Sequence, residues 1–175
     1  MKKMSLTLLS FALAVASSGQ TAGTIDTAGL PNASVVKPGL IAAGRPSPEA
    51  VASLKARGFR TVIDLRTPTE PGFAEEKEAV EAQGLRYVNV PVAGGAFSGK
   101  DVDAVKAALD GAGEGPVLLH CASSNRVGAV WAVLQAREGL SVDEAMKEGA
   151  RVGLTSPALA DAARRVATEG ATARP

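Results

Sequence analysis

The apolar run Val117-Leu118-Leu119 leads into His120-Cys121, then into Ala122-Ser123-Ser124-Asn125, and then into Arg126, which opens a second apolar run. Apolar strand, short small-residue loop and apolar helix constrain this chain more than any other segment. The order delivers the one cysteine and the one histidine of the sequence to the carboxyl end of a strand, directly ahead of a helix expected over residues 127–137. A thiol attacks as thiolate, and a helix N-terminus or a nearby cation favours that form. Position supplies both. The helix points its positive dipole end and its unpaired N–H groups at the loop. Ala122, Ser123, Ser124 and Asn125 are small enough for successive N–H groups to turn inward as an anion-binding nest. Arg126 adds a planar fork for two oxygens of a tetrahedral oxyanion. Cys121 and Arg126 are therefore candidate catalytic residues, and Ala122, Ser123, Ser124, Asn125 and His120 candidate substrate-binding residues. The competing reading makes Cys121 a small buried hydrophobe and His120 a hydrogen-bonded core residue.

The remaining sequence alternates strand and helix signals. Residues 21–36 read as a loose lead-in and Leu40–Ala43 as an edge strand. Ser47-Pro48-Glu49 starts a helix with an N-cap, a proline and an early acid; it is expected to run to Arg57. Arg60–Leu65 and Leu85–Val90 are β-rich. Between them a helix is expected over residues 73–83, with Ala74, Ala79, Val80 and Ala82 facing the core and Glu75, Glu76, Lys77 and Glu78 mostly solvated. Asp101–Leu109 is helical, Ser141 and Glu144 form a capping box, and a last helix is expected over residues 157–168. Alternation of this kind predicts an α/β domain with a parallel-leaning central sheet flanked by helices, its ligand site beyond the carboxyl ends of the strands.

Composition bounds the partners. The chain has 175 residues, 46% hydrophobic, with a formal net charge of +1; that balance does not call for nucleic acid or a bulk membrane surface. With one cysteine and one histidine no internal disulfide or zinc site is expected, and neither is any other metal or a cofactor. Met1-Lys2-Lys3-Met4 is cationic, residues 6–16 are uncharged and mostly apolar, and Ala14-Val15-Ala16 offers small residues to a signal peptidase. This predicts a secretory leader within residues 1–22, cleaved after Ala16 or Ala22, with no stable membrane insertion afterwards and a periplasmic or secreted destination. The expected layout is then a lead-in over 23–34, one domain over 35–170 and a tail over 171–175.

The loop His120–Ala129, with Val62-Ile63-Asp64-Leu65-Arg66, Tyr87–Val92 and Gly44-Arg45-Pro46-Ser47, resembles the bacterial dual-specificity-phosphatase-like proteins found alone or joined to NAD kinase or beta-lactamase-hydrolase-like domains. The resemblance covers roughly residues 35–157. It implies a three-layer domain of the cysteine-dependent phosphatase kind, acting on a phosphorylated substrate. Carried over by position, Cys121 would attack phosphorus and hold a phosphocysteine, the backbone of residues 122–125 would bind the phosphoryl oxygens, and Arg126 would clamp two of them.

Three departures stand out. The spacer between Cys121 and Arg126 is one residue shorter than in familiar tyrosine phosphatases. The residue after the arginine is Val127 where the family has a hydroxyl that bonds the thiolate; Ser123 or Ser124 could substitute, or could serve only the loop backbone. The general acid, expected in the loop after the Tyr87–Val92 strand, is missing from Ala93–Gly99. Asp101 is the first candidate for it, with Asp103 close by and Glu70 in a different loop; Asp101 could equally serve only its helix N-terminus. Asp64 and Arg66 would form an ion pair that orients the loop or merely ends a strand. A rhodanese-like sulfurtransferase is the main alternative: the cysteine loop and Ile63-Asp64-Leu65-Arg66 also resemble that cradle. Against it stand Ala122 in place of an arginine and the His-Cys start. A non-catalytic phosphate-binding domain is the other alternative.

Overall fold

A computed structural model describes residues 25–172. The expected leader over residues 1–22 lies outside them. Five strands form one mixed sheet in the order β1-β2-β5-β3-β4: β1 Ser34–Lys37, β2 Leu40–Ala43, β3 Thr61–Asp64, β4 Arg86–Asn89 and β5 Val117–His120. Only β1 is antiparallel; β2, β5, β3 and β4 run parallel in register. Helices α1 Pro48–Ser53, α2 Phe73–Ala82, α3 Gly99–Asp110, α4 Asn125–Arg137, α5 Val142–Val152 and α6 Pro157–Thr172 complete the fold.

The sheet separates two apolar clusters. Ile41, Ala43, Val62 and Leu118 pack with α1 and α2 through Val51, Leu54 and Val80. Ala42, Ile63, Leu65, Leu119 and Cys121 pack with α3 to α6 on the other face. Alternation along a strand explains the division: neighbouring residues such as Leu118 and Leu119 enter opposite clusters.

Leu40–Ala43 is not the edge strand expected from its sequence. All four residues are buried, because β1 covers its outer side. The edge is β1, in the segment that reads as a loose lead-in. Its residues alternate between half-buried and exposed, with Val35 57% exposed, and Lys37 closes the strand with a charge that discourages further pairing. Helix α2 also turns differently from expectation. Ala74, Ala79 and Ala82 are exposed, and the inward pair is Glu76 and Val80. One helical turn separates those two, and Glu76 is drawn inward by the Arg66 guanidinium beneath it. Helix α1 stops at Ser53 and α6 continues to Thr172.

Helices α4 and α5 touch backbone to backbone. A Cβ on Gly128 would lie 2.6 Å from the Gly149 carbonyl oxygen, and one on Gly149 2.7 Å from that of Gly128. Only glycine permits this approach. It brings the end of α5, at Gly153, against the loop that precedes α4.

Candidate active site

Strand β5 ends at His120, and the two residues at its end face opposite ways. Cys121 joins the apolar cluster beneath α4 and is 1% exposed. His120 is fully buried on the α1/α2 side, its Nε2 2.8 Å from Oε1 of Glu76 and 3.8 Å from Oδ1 of Asp64. Although the His120–Glu76 contact is short, Nε2 of His120 and Oε1 of Glu76 make no hydrogen bond. His120 therefore does not reach the open face of the loop, where the sequence places it among the substrate-binding residues; strand alternation sends it behind the sheet.

The loop between Cys121 and Arg126 is laced from outside. The Arg45 N–H donates to the Ala122 carbonyl at 3.1 Å, Gly44 bridges Ser123, and Asn32 Nδ2 donates to the Ser123 carbonyl at 3.3 Å. Asn125 Oδ1 accepts the N–H groups of Thr155 and Ser156, both at 2.7 Å, fastening the loop to the start of α6. Ser124 is buried, and its hydroxyl donates to the Val152 carbonyl at 2.7 Å. Its φ of +68° is in the left-handed region, uncommon outside glycine. A Cβ on Gly153 would fall 2.7 Å from Ser124 Cβ, so the turn after α5 is shaped to the loop. Ser124 is thus turned away from Cys121, and Ser123 Oγ accepts from Asn125 Nδ2 at 3.3 Å. Ala122 and Ser123 are exposed.

Helix α4 begins at Asn125, two residues before the expected start, and its N-cap Ser124 makes no capping bond. Its first N–H groups have no acceptor within the helix, so the positive end of the dipole opens on the loop without a side-chain cap.

Arg126 spans the site. Its Nη1 and Nη2 meet Oε1 and Oε2 of Glu70, each at 2.7 Å, and Nη1 also donates to the carbonyls of Leu65 (3.2 Å) and Val92 (3.1 Å). Nε and one N–H of Nη2 make no hydrogen bond to an oxygen among the described residues, and the Cys121 side chain lies close enough to interact with the guanidinium. They form the second edge of the guanidinium fork. Glu70 first, and the nearby Cys121 less strongly, hold the Arg126 pKa above its usual value against the opposing effect of burial. Arg126 in turn holds the Glu70 carboxyl below the ordinary range, outweighing burial, with help from the Thr67 N–H.

Behind the sheet lies a second charged cluster. Arg66, 1% exposed, grips Asp64 through Nε at 3.1 and 3.0 Å and through Nη2 at 2.7 Å, and reaches Glu76 Oε2 at 2.7 Å. The Tyr87 hydroxyl donates to Asp64 Oδ2 at 2.6 Å. Asn89 Nδ2 donates to the carbonyls of Asp64 and Arg66, both at 2.8 Å. Burial alone would raise the Asp64 pKa; the bonds from Arg66, the charge of His120 and the Tyr87 bond together bring it below the usual value. Burial first, then Asp64, pushes the Tyr87 phenol well up. Asp64, Glu76 and His120 bring donor atoms within 4.8 Å of one another, as a metal site would. Arg66 already supplies that cluster with a fixed cation, which leaves no need for a second.

Asp101 sits in the first turn of α3. Its Oδ2 accepts the Ser98 N–H and hydroxyl, both at 2.8 Å, in a capping box. Asp103 pairs with Arg137 at 2.6 Å. The residue pattern places Glu70 in a loop apart from the first acid candidate and Glu76 on a solvated face, whereas Glu70 pairs with Arg126 and Glu76 is buried. The available signal for Glu76 was its one-turn spacing from Val80; Glu70 carries no periodic signal, because it lies in a loop.

A family model described as "Beta-lactamase hydrolase-like protein, phosphatase-like domain" matches residues 32–138, more than half of the chain. The chain belongs to that family. A beta-lactamase hydrolase-like protein of Agrobacterium fabrum is 34% identical over 104 residues, covering 57% of this chain and 24% of that protein. The chain thus matches about a quarter of the length of its curated relatives. Among solved structures, a DUF442 protein from Shewanella putrefaciens superposes with a TM-score of 0.68 at 23% identity, covering 84% of this chain and 93% of that one. P. aeruginosa TpbA, solved in complex with phosphotyrosine, superposes with a TM-score of 0.65 at 21% identity, covering 89% of this chain and 98% of that one. These two likenesses carry the fold alone.

Proposed function

We propose that this phosphatase-like domain hydrolyses phosphomonoesters through a phosphocysteine on Cys121. The observation that carries the reading is the convergence of three features: the Cys121 thiol, the uncapped start of α4 and the edge of Arg126 that Glu70 leaves open, beside Cys121. Nε and Nη2 of Arg126 would take two phosphoryl oxygens while Glu70 keeps the opposite edge, and the N–H groups of residues 122–126 would take the rest. The Cys121 sulfur would form a bond to phosphorus as the ester P–O bond breaks. Water would then attack the phosphocysteine, releasing inorganic phosphate and restoring the sulfur.

The departing alkoxide needs a proton. Glu70 is a poor source, since Arg126 holds it ionised by both oxygens. Asp101 is the proposed acid: Oδ2 is taken by Ser98, and Oδ1 carries no hydrogen bond among the described residues. Asp101→Asn should flatten one limb of the pH–rate profile for alkyl phosphates; an unchanged profile removes Asp101 from the mechanism. We assign the substrates to the tyrosine and dual-specificity phosphatase type, tested by comparing phosphotyrosine and phosphoserine peptides. The cationic start and apolar stretch of residues 1–22 support export, which fractionation of the tagged full chain would test.

The deciding assay runs two substrates in parallel. Wild type should release 4-nitrophenol from 4-nitrophenyl phosphate, and Cys121→Ser should abolish the release. Thiocyanate formed from thiosulfate and cyanide, with no phosphate ester hydrolysed, would replace the reading with sulfur transfer.

A further inference from the structure

We propose that Arg45 reads a second anionic group on the substrate, so that preferred substrates carry a negative charge beside the scissile phosphate. The inference rests on the phosphatase reading and names the substrate class for that site.

Arg45 stands two residues past β2, and its backbone is fixed by the catalytic loop itself. Its N–H donates to the Ala122 carbonyl, and its neighbour Gly44 bridges Ser123. A Cβ on Gly44 would sit 3.2 Å from the Ala122 carbonyl oxygen and 3.3 Å from Ser123 Cα, so the two segments run in contact. Arg45 thus stands beside the first residue of the cradle after Cys121, with its side chain exposed.

The guanidinium is nearly unspent. It makes one hydrogen bond, from Nη1 to the Pro71 carbonyl at 3.0 Å, and no ion pair among the described residues. Of the other arginines near the carboxyl ends of the strands, Arg66 is committed to Asp64 and Glu76 and Arg151 to Glu148, while Arg126, paired with Glu70 along one edge, keeps its other edge for the scissile phosphate. Arg60 and Arg86 also lack ion pairs, but they lie at the opposite end of the sheet, before β3 and at the start of β4. Arg45 is therefore the exposed arginine beside the site with donors to offer a second group.

Its surroundings fix the side from which an anion would approach. A notch of about 180 Å³ opens beside it, lined by Pro46, Pro48, Val51 and Gly72, with Glu75 and Glu76 contributing to the wall. Those carboxylates disfavour an anion inside the notch. On the loop side only the Arg45 backbone touches Ala122, while the guanidinium rests against Pro71 and Gly72; Ala122 and Ser123 carry no charge, so an anion over the loop is met when the guanidinium leaves the Pro71 carbonyl. An exposed guanidinium held by a single carbonyl can swing to such a group at little cost.

The test uses phenyl phosphate, its ortho-, meta- and para-carboxyl derivatives, and the matching carboxamides as size controls. Wild type should favour one carboxyl isomer over its carboxamide by about tenfold in kcat/KM, the scale of one charge-assisted hydrogen bond, and added salt should shrink that preference. Arg45→Gln removes the charge, and it should lower the preference several-fold more than it lowers phenyl phosphate turnover. Arg45→Lys should retain part of the preference. A wild-type enzyme indifferent to the carboxylate, or Arg45→Gln and Arg45→Ala losing equally on charged and neutral substrates, would overturn the proposal and leave Arg45 as a staple for the Pro71 loop. Absence of turnover with every phosphate ester would instead be a failure of the phosphatase reading.

Discussion

Arg66 and Arg126 are both arginines gripped by carboxylates at the same end of the sheet, yet they are in opposite states. Arg66 is sealed behind the sheet, with Nε, Nη1 and Nη2 all donating, to Asp64, Glu76 and the Pro71 carbonyl. Arg126 lies in front, 13% exposed in its side chain, bound to one carboxylate along one edge and open along the other. The difference teaches how a fold separates scaffold from site. A buried cation with all three nitrogens engaged fixes geometry; a partly exposed cation with a free edge can meet a ligand. His120 and Cys121 show the same division one bond apart, one facing each cluster.

The contrast breaks first at Arg66. Arg66→Met should cost about 3–5 kcal/mol of stability, because Asp64 and Glu76 stay buried without their counter-charge. Urea denaturation measures it. A fully stable variant that loses only activity would erase the distinction. Arg126→Lys should do the reverse: kcat/KM for 4-nitrophenyl phosphate should fall about 10²–10³-fold, since an ammonium cannot present two parallel donors, while stability changes by less than about 1 kcal/mol. Glu70→Gln should lower kcat about tenfold or less with KM little changed, because Glu70 sets the angle of the fork without touching phosphate; a larger effect on KM than on kcat would make it a binding residue.

The smallest effect is a slope with pH. Asp64 and Glu70 both have folded pKa values below their unfolded ones. Their pairing therefore stabilises the fold fully above the ordinary carboxylate range, roughly pH 4. That contribution is lost as pH falls through the depressed folded values. Unfolding free energy should drop on acidification below about pH 4, and Glu70→Gln should make that drop shallower. An unchanged slope would mean that the Arg126–Glu70 pair is not maintained in solution.

Much of this was legible in the residues. The strand, loop and helix around Cys121 follow from apolar runs and small residues, and both helix starts at Ser47 and Ser141 cap as their sequences imply. What escaped had tertiary causes. Strand β1 is four residues of mixed polarity, held by pairing with β2, so no local pattern announces it. Glu76 looks like any solvent-facing acid until Arg66 and His120 are seen beneath it. Glu70 and Arg45 come close to the loop from segments distant in sequence, and only the sheet order places them there. Ser124, a plausible partner for the sulfur by sequence, is turned away because the end of α5 needs its hydroxyl.

The central claim is covalent catalysis at Cys121, and trapping tests it most directly. Wild type mixed with an aryl phosphate and quenched within a turnover should yield a Cys121 peptide heavier by one phosphoryl group, formed no more slowly than the steady-state rate and absent from Cys121→Ser. Turnover of the phosphate ester with no phosphoryl group on Cys121, or undiminished turnover by Cys121→Ser, would contradict it.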